Sequence, residues 1–487
     1  MKQRLLLFLL WPALMSPLLA AAPRNVVLFV ADDMGLDAGC YGNRDVKTPH
    51  LDALAREGTL YRRAFCTTAS CSASRSVILS GLHNHANGHY GHQHSVHNFH
   101  AFTLVQSLPV LLTRHGYRTA RAGKFHVQPE SVYQFGKVIP GAGWNPIALA
   151  EGSREFLADK SQPFFLYFCP LTPHRSGGAL PDHPLQPNAF GNHQSIPGHT
   201  DVKYDAKTIT VPAHLPDTPA CRAELAQYYQ AVTRTDASLG RLVQLLKETG
   251  QYENTLILFI SDNGMPWPGA KTTLYEPGMR LPLVVRSPDQ QKRGMASDAM
   301  VSWTDLTPTI LDFAGVKQVF APPWGPEGGG GKGAKKKGAD LQYPFHGRSL
   351  LPTIEGGAPS GWDIVFGSHQ FHEITMYYPM RCIRTDRYKL ILNLAHPLPF
   401  PFASDLHESA TWQDFMKSGP KFYGQRRVQD YIQRPRYELY DLQSDPGETQ
   451  NLAQSEAHKP LFEELAARLK MFQERTRDPW LSKYVYE

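Results

Sequence analysis

The sequence is poor in cysteine, contains no Asn-x-Ser/Thr triplet and, after its amino terminus, has no long apolar run. Six cysteines in 487 residues are too few for a scaffold built on disulfides, although one or two bridges stay open. The lack of glycosylation triplets disfavours a glycosylated animal lysosomal protein. No later segment approaches the about 18 consecutive apolar residues of a membrane helix, so we expect no spanning segment beyond the amino terminus.

The excess of positive over negative charge is also small. The formal net charge is +6 in 487 residues, which is too mild a balance to predict a nucleic-acid partner. The apolar fraction of 42% and the aromatic fraction of 11% exclude a mainly disordered chain. Gly and Pro, with 39 of each and no period, exclude collagen and favour a loop-rich α/β protein.

The amino terminus, by contrast, carries a targeting pattern. Lys2 and Arg4 precede an apolar stretch that Pro12 interrupts, and residues 20–22 are three alanines that suit a cleavage site. We predict a signal peptide over residues 1–22, with an uncleaved membrane anchor as the alternative. The mature protein is then exported, and is periplasmic or secreted if bacterial and lysosomal if eukaryotic.

Short apolar runs alternate with helical patterns along the rest of the chain. This alternation predicts an α/β fold with a large, mostly parallel sheet flanked by helices. Three runs are typical of strands buried on both faces, namely Asn25–Ala31, Phe164–Cys169 and Thr255–Ile260. Helical spacing predicts helices over residues 49–57 and 219–250.

We expect one large domain over residues 23–361 and a smaller carboxyl-terminal α+β unit with an antiparallel sheet over 362–487. Residues 322–340, rich in Gly and Lys, predict a flexible surface loop. Their GGGGK run lacks the first Gly and the final Ser or Thr of a phosphate-binding loop. The predicted elements of the smaller unit are strands at Tyr388–Leu394 and Tyr437–Asp441 and a helix over residues 455–475.

Two of the buried strands end in oxygen-bearing side chains. Asp32 and Asp33 follow the first strand, and Asp262 and Asn263 follow the third. Because open α/β sheets bind ligands at the carboxyl ends of their strands, these four side chains are expected to converge. Three carboxylates and one amide oxygen suit Ca²⁺ or Mg²⁺. The alternatives are a capped helix after the first pair and a plain turn at the second.

A cysteine motif is the third candidate element. Residues 71–75 read Cys-Ser-Ala-Ser-Arg, and a helical run follows them. Cys71 is therefore predicted at the positive end of a helix, where a thiolate or another anion is stabilised.

Seven histidines lie between His83 and His100. This density is typical of a metal-binding tract, but the spacing fits no zinc template. We therefore interpret most of these histidines as a polar loop beside the site and not as a dedicated zinc centre.

Taken together, these motifs resemble those of the type I sulfatases of the alkaline-phosphatase superfamily, and the resemblance runs from Arg24 to Tyr486. Cys-x-Ala/Pro-x-Arg is the site at which sulfatases convert cysteine to formylglycine, and TPHLDALAREG, LSGLHNHANG and ELYDLQSDPGETQNLA are sulfatase-like. CPLTPHR, GKFHVQPE and FHEITMYYPMR are similar to segments of the sulfamidases, the members that remove N-sulfate from glucosamine. The resemblance implies an alkaline-phosphatase-like α/β sandwich.

The resemblance also implies a cofactor and a modification. One Ca²⁺ ion would be bound by Asp32, Asp33, Asp262, Asn263 and residue 71. Residue 71, as formylglycine, would form a hydrate, one hydroxyl of which attacks sulfur. Metal and fixed cations would then stabilise the negative charge that develops on the sulfate oxygens.

Five basic side chains receive roles from the same resemblance. Arg75 and Lys124 would stabilise the hydrate. His126 would be the base whose action expels sulfate and regenerates the aldehyde. His174 and Lys271 would bind the sulfuryl group and assist the leaving amine.

For the substrate, the resemblance implies sulfated glycosaminoglycan fragments, and specifically the N-sulfate of a non-reducing terminal N-sulfoglucosamine in heparan sulfate or heparin. The side chains expected to contact the sugar are His174, Arg175, His372 and Glu373. Maturation would need a formylglycine-generating or a radical-type sulfatase-maturing enzyme, and a homodimer is compatible with the family.

Two departures from the family pattern bear on these expectations. Ala73 stands where Pro is commoner, which suits a radical-type maturing enzyme. Lys271 stands where sulfamidases have Arg, which weakens the N-sulfate assignment and keeps an O-sulfatase of another sulfated sugar as the alternative. A phosphatase that uses unmodified Cys71 and a glycan-binding protein with an inactive site are the remaining hypotheses.

Overall fold

The computed structural model describes residues 24–141, 143–175, 188–192, 195–316 and 345–483. The predicted signal peptide and the predicted loop at 322–340 lie outside the described residues. All six cysteines lie inside them and are free thiols, so neither of the bridges left open by the sequence is formed. None of the helices in the described part of the chain combines the length and the hydropathy that crossing a bilayer requires.

An eight-stranded sheet forms the centre of the larger part of the chain. In chain order its strands are β1 (Asn25–Ala31), β2 (Thr59–Tyr61), β3 (Arg118–Gly123), β4 (Lys137–Ile139), β5 (Phe164–Cys169), β6 (Thr255–Ser261), β7 (Leu283–Arg286) and β8 (Met295–Ser297). Their spatial order is β8-β2-β7-β6-β1-β5-β3-β4. Only β7 runs antiparallel to its sheet neighbours, β6 and β2, so the predicted mostly parallel sheet is confirmed.

The central strand shows why these apolar runs form strands. Alternate residues of β1 point to opposite faces of a sheet, and both faces are covered, so every one of its seven residues is buried. Val26 packs in the same apolar cluster as Val77 of helix α2 (Cys71–Ser80), and Val27 packs in the cluster that contains Leu225 of helix α7 (Pro219–Glu248).

The described helices are α1 (Pro49–Glu57), α2 (Cys71–Ser80), α3 (Asn84–Asn87), α4 (Leu108–Arg114), α5 (Pro146–Glu151), α6 (Arg154–Ala158), α7 (Pro219–Glu248), α8 (Glu276–Met279), α9 (Leu306–Phe313), α10 (Ser404–His407), α11 (Ala410–Ser418), α12 (Val428–Ile432) and α13 (Lys459–Arg475).

A separate four-stranded antiparallel sheet follows toward the carboxyl terminus, as predicted. Helix α13 packs against it through Leu465, Leu469 and Phe472. This helix begins at Lys459 and not at 455, because residues 456–458 form a 3-10 turn. The boundary between units at 361/362 stays a prediction. The strands of this sheet are β9 (Ile364–His369), β10 (Met380–Thr385), β11 (Tyr388–Asn393) and β12 (Tyr437–Asp441).

The pairing of β1 with β6 sets the position of the candidate site. The two strands are parallel and in register up to Ala31 and Ser261. Their carboxyl ends therefore stop at the same level, and the Asp262 N–H donates to the Ala31 carbonyl oxygen at 3.1 Å. The side chains that follow the two strands are brought to one edge of the sheet.

Candidate active site

The four oxygen-bearing side chains at that edge meet. Asp32, Asp33, Asp262 and Asn263 are all fully buried. The Asp33 N–H donates to Asp262 Oδ1 at 3.0 Å, and Asn263 Nδ2 donates to Asp33 Oδ1 at 2.7 Å. No helix follows Asp33 directly, so the alternative of a helix-capping pair fails. We call these four residues the oxygen cluster.

Two atoms of the oxygen cluster fit a hard cation. Asp32 Oδ1 and Asn263 Oδ1 are buried and accept no hydrogen bond from the described residues, and the Asp32 oxygen lies 3.4 Å from Arg75 Nη2 in an ion pair. Buried oxygens are rarely left without a partner. Carboxylate and amide oxygens are the ligands that Ca²⁺ prefers, so the donor set present here suits that ion.

Cys71 lies beside the oxygen cluster at the first position of α2. Its Sγ is 3.4 Å from Asp33 Oδ1, and the side chain is fully buried. Burial and the nearby Asp33 carboxylate raise the pKa of the Cys71 thiol well above its usual value. The position of Cys71 at the start of the helix is as predicted, and burial there opposes the formation of a thiolate.

Three cations from three segments hold the carboxylates of the cluster. Arg75, one turn along α2 from Cys71, donates from Nε to Asp262 Oδ2 at 2.9 Å. Lys124 Nζ lies 2.6 Å from Asp32 Oδ2, and Lys271 Nζ lies 2.9 Å from Asp33 Oδ2. The last of the carboxylate partners is His174, whose Nδ1 is 2.5 Å from Asp33 Oδ2.

Burial and these contacts give the three acids different pKa values. Burial alone would raise the pKa of Asp32, but cations led by Lys124 outweigh burial and lower it to about 2. Burial would raise the pKa of Asp33 as well, but Lys271, His174 and Lys124 together outweigh burial and hold it well below its ordinary value. Burial instead raises the pKa of Asp262 to about 7, with its two acidic neighbours adding to the effect.

The backbone is strained where it presents these groups. Asp33 has φ of 64° and His126 has φ of 60°, and Thr272, next to Lys271, has φ of 69°. Non-glycine residues in this left-handed region are uncommon and concentrate at functional sites. Before the Lys124 segment the chain uses Gly123 (φ 78°), where a Cβ would collide with the carbonyl oxygen of Cys169.

His126 belongs to a chain of ring contacts that the sequence did not predict. Its Nε2 lies 2.8 Å from His94 Nδ1 and 3.3 Å from His92 Nδ1. On its other side His92 contacts His372, with 2.7 Å between the two Nε2 atoms. His372 Nδ1 in turn lies 2.9 Å from Ser70 Oγ. Burial first, and neighbouring positive groups second, lower the pKa of His126 well below its usual value, so its ring is neutral.

The interpretation of the histidine tract as a polar loop is wrong for its first half. His83, His85, His89 and His92 are each at most 4% exposed. His85, for example, is held between Ser368 Oγ at 2.7 Å and Thr476 Oγ1 at 2.9 Å. Only the second half of the tract, from His94, contains exposed histidines.

The remaining predicted sugar contacts are engaged within the protein. Arg175 is 1% exposed, pairs with Glu224 and lies over the Trp267 ring at 4.7 Å. Glu373 accepts from the Ser404 N–H at 2.9 Å and from its hydroxyl. The direct contact of either residue with a sugar stays a prediction.

Sequence reasoning missed Asp405. Its Oδ2 lies 2.7 Å from Lys271 Nζ, so Lys271 is shared between Asp33 and Asp405. Asp405 lies on α10, 134 residues away from Lys271, in a segment without a recognisable motif. Only the folded structure brings the two together.

Comparison with known proteins adds family information to this geometry. The family described as Sulfatase matches residues 24–316. N-sulphoglucosamine sulphohydrolase of Homo sapiens is 41% identical over 478 residues, covering 95% of this chain and 92% of the human protein. An ulvan-active sulfatase of Formosa agariphila is 27% identical, covering 91% of this chain and 78% of its own.

A solved structure supports the fold. A protein in complex with its substrate D-glucosamine-2-N,6-O-disulfate superposes with a TM-score of 0.63 at 22% identity, covering 94% of this chain and 98% of that protein. At this identity the similarity concerns the fold alone.

Proposed function

This chain belongs to the sulfatase family, a family of hydrolases, and from that premise we propose that it removes the N-sulfate of a non-reducing terminal N-sulfoglucosamine in heparan sulfate or heparin fragments. The observation that carries the proposal is the convergence of Arg75, Lys124, Lys271 and His174 on the buried oxygen cluster beside Cys71. Sulfuryl transfer places negative charge on oxygens, and fixed cations in a buried site stabilise such charge without reorganisation.

We propose Ca²⁺ as the ion of the oxygen cluster and formylglycine as the active form of residue 71. Asp32, Asp33, Asp262 and Asn263 would hold the ion, which supplies a Lewis acid for the sulfate oxygens. Formylglycine supplies a hydrated aldehyde as the nucleophile. The raised pKa of the Cys71 thiol argues against the alternative in which unmodified cysteine attacks, since only a thiolate is a competent nucleophile.

The chain's own side chains then bind and move protons. Lys124 and Arg75 orient residue 71 from the side of Asp32 and Asp262. His126 takes a proton from residue 71 at Nδ1, an atom without a hydrogen-bond partner among the described residues. Its Nε2 lies 2.8 Å from His94 Nδ1, and in the tautomer with the proton on Nε2 the Nδ1 lone pair is free.

His174 and Lys271 are proposed to act on the group that leaves. A departing amine needs a proton, and the His174 imidazole can deliver one while its Nδ1 is held by Asp33. His372 lies behind residue 71 through Ser70. Arg175 and Glu373 were predicted to pair with the sugar, and their contacts with Glu224 and Ser404 favour a role in positioning the loops around it.

One residue, Lys271, supports a second candidate function. Lys271 stands where sulfamidases carry Arg, and the similarity to an ulvan-active sulfatase is consistent with an O-sulfatase that acts on another sulfated sugar. Lys offers a point charge where Arg offers a fork of donors, so the two are not equivalent at a sulfate.

The specificity prediction is tested with a competition between termini. Disaccharides with N-sulfated and 6-O-sulfated non-reducing glucosamine are mixed at equal concentration, and sulfate release from each is followed by chromatography. We expect loss of the N-sulfate and survival of the 6-O-sulfate, because a site built to pair one set of polar groups penalises analogues that leave them unpaired. Faster loss of the 6-O-sulfate would assign the protein to the O-sulfatases.

Asp405 gives a further prediction about Lys271. Asp405→Asn removes one of the two carboxylates that hold Lys271 Nζ, and a charged hydrogen bond of this kind contributes about 1.5–3 kcal/mol. We expect kcat/KM to fall about 10- to 100-fold. Asp414→Asn, on α11, is the matched control and should keep full activity. Unchanged kinetics in Asp405→Asn would show that Lys271 is positioned without it.

Export, maturation and assembly complete the proposal. We propose that residues 1–22 direct export to a periplasmic or extracellular compartment, and that a sulfatase-maturing enzyme converts Cys71. The domain boundary at 361/362 and a homodimer are part of the same proposal. The amino-terminal sequence of the secreted protein and its mass in solution test these points.

A further inference from the structure

The three imidazoles of His92, His94 and His126 meet at the edge of the active site, and we call them the histidine cluster. One nitrogen of each lies within 4.8 Å of those of the other two. His126 Nε2 is at the centre, 2.8 Å from His94 Nδ1 and 3.3 Å from His92 Nδ1. His92 Nδ1 also lies 3.4 Å from Ser72 Oγ. Three imidazole nitrogens that face one another in this way are the donor set of a transition-metal site.

The spacing suits Zn²⁺. With Zn–N bonds of 2.0–2.1 Å and tetrahedral angles, two ligand nitrogens are about 3.3 Å apart. The His92–His126 separation already has this value, and the His94–His126 pair needs to open by about half an ångström. His94 is exposed, so its side chain can adjust and the ion has an entry path.

The contacts of His92 on its other side also support a metal site here. Histidines that bind a metal donate their other ring N–H to a fixed acceptor. With Nδ1 of His92 on a metal, its Nε2–H points to His372 Nε2 at 2.7 Å, and the Nδ1 of His372 is in turn held by Ser70 Oγ at 2.9 Å. The orientation of the His92 ring is thus set before any ion binds.

We propose that the histidine cluster is a Zn²⁺ site, distinct from the oxygen cluster, and that Zn²⁺ bound there inhibits the enzyme. The inhibition, unlike the binding, rests on the proposed role of His126. Zn²⁺ on Nε2 leaves the single proton of the neutral ring on Nδ1, which is the atom proposed to accept a proton from residue 71. A bound ion therefore disables the base without touching the oxygen cluster.

Binding is tested apart from activity. Zn²⁺ is titrated by calorimetry into the full-length Cys71→Ala variant with Ca²⁺ in excess, so that neither the thiol nor the oxygen cluster competes. We expect one ion to bind, and His94→Gln in the same background to weaken binding by about 100-fold, since even outer-shell changes cost 10- to 100-fold. His100→Gln, the same substitution on the same exposed loop but outside the cluster, should leave the affinity unchanged. Equal affinity in His94→Gln, or equal loss in His100→Gln, would overturn the site.

Inhibition is tested on the mature enzyme. Zn²⁺ should lower sulfate release in the unmodified protein and in His100→Gln, and His94→Gln should need about 100-fold more Zn²⁺ for the same loss. Full activity with the site saturated by Zn²⁺ would overturn the inhibition and the assignment of His126 as base, while the metal site itself would stand. Absence of binding would overturn the metal site and leave the proposed reaction intact.

Discussion

Cys71→Ala is expected to abolish sulfate release while leaving the fold and the thermal stability close to those of the parent protein. In the proposed reaction this residue supplies the nucleophile, and loss of a nucleophile costs about 10⁴-fold or more in turnover. Its neighbours offer no replacement, because Asp32 is paired with Lys124 and Asp33 with Lys271. The measurement is sulfate release from an N-sulfated disaccharide by protein co-expressed with a maturing enzyme.

The same protein carries the test of the modification. A mass spectrum of the peptide that contains residue 71 should show the aldehyde, and the aldehyde should react with a hydrazide. Cys66→Ala is the matched control, since Cys66 is a buried thiol five residues earlier whose Sγ donates to the Gly278 carbonyl oxygen at 3.5 Å. Full activity in protein that contains only unmodified Cys71 would contradict the formylglycine proposal.

Much of the fold follows from local pattern in this sequence. The strands at Asn25–Ala31 and Phe164–Cys169 begin and end where the apolar runs do, because strands buried on both faces must be apolar throughout. The strand predicted to end at Ile260 continues to Ser261, and the helix predicted over 219–250 ends at Glu248. Such differences arise at element ends, where hydrogen bonding and not side-chain burial sets the boundary.

The oxygen cluster was predictable for a similar reason. Asp32 and Asp262 each follow a strand directly, and parallel strands in register end together. The family resemblance, which the comparisons confirm, rests on those residues and on the cysteine motif. Both signals are local in sequence, and both place chemistry at one edge of the sheet.

The contacts that the sequence did not reveal are those between distant segments. His126 meets His94 across 32 residues, and Lys271 meets Asp405 across 134. The complete burial of Cys71 beside Asp33, which raises the pKa of its thiol, is likewise not visible in the motif. Burial and long-range pairing depend on packing, which the spacing of motifs does not encode.

The second prediction with a large effect on activity concerns the Ca²⁺ ion proposed for the oxygen cluster. Asp262→Asn keeps the shape of the side chain but removes one of three carboxylates, and the loss of a principal electrostatic stabiliser costs about 10²–10³-fold in kcat. We expect at least this decrease in sulfate release, because Asn also weakens the hold on Arg75, whose Nε now binds Asp262 Oδ2 at 2.9 Å.

Metal binding is read independently of activity by thermal unfolding. An ion that binds only the folded state stabilises it by about 2.7 kcal/mol at a concentration of 100 Kd, so Ca²⁺ added to chelated parent protein should raise the Tm. Asp262→Asn should lose most of that rise. Asp37→Asn is the control, since Asp37 is a buried carboxyl shortly after β1, and its Oδ2 accepts from the Tyr228 hydroxyl at 3.1 Å. A normal Ca²⁺-dependent rise and near-normal turnover in Asp262→Asn would remove this residue from the metal site, and with it the requirement that the ends of β1 and β6 act as a pair.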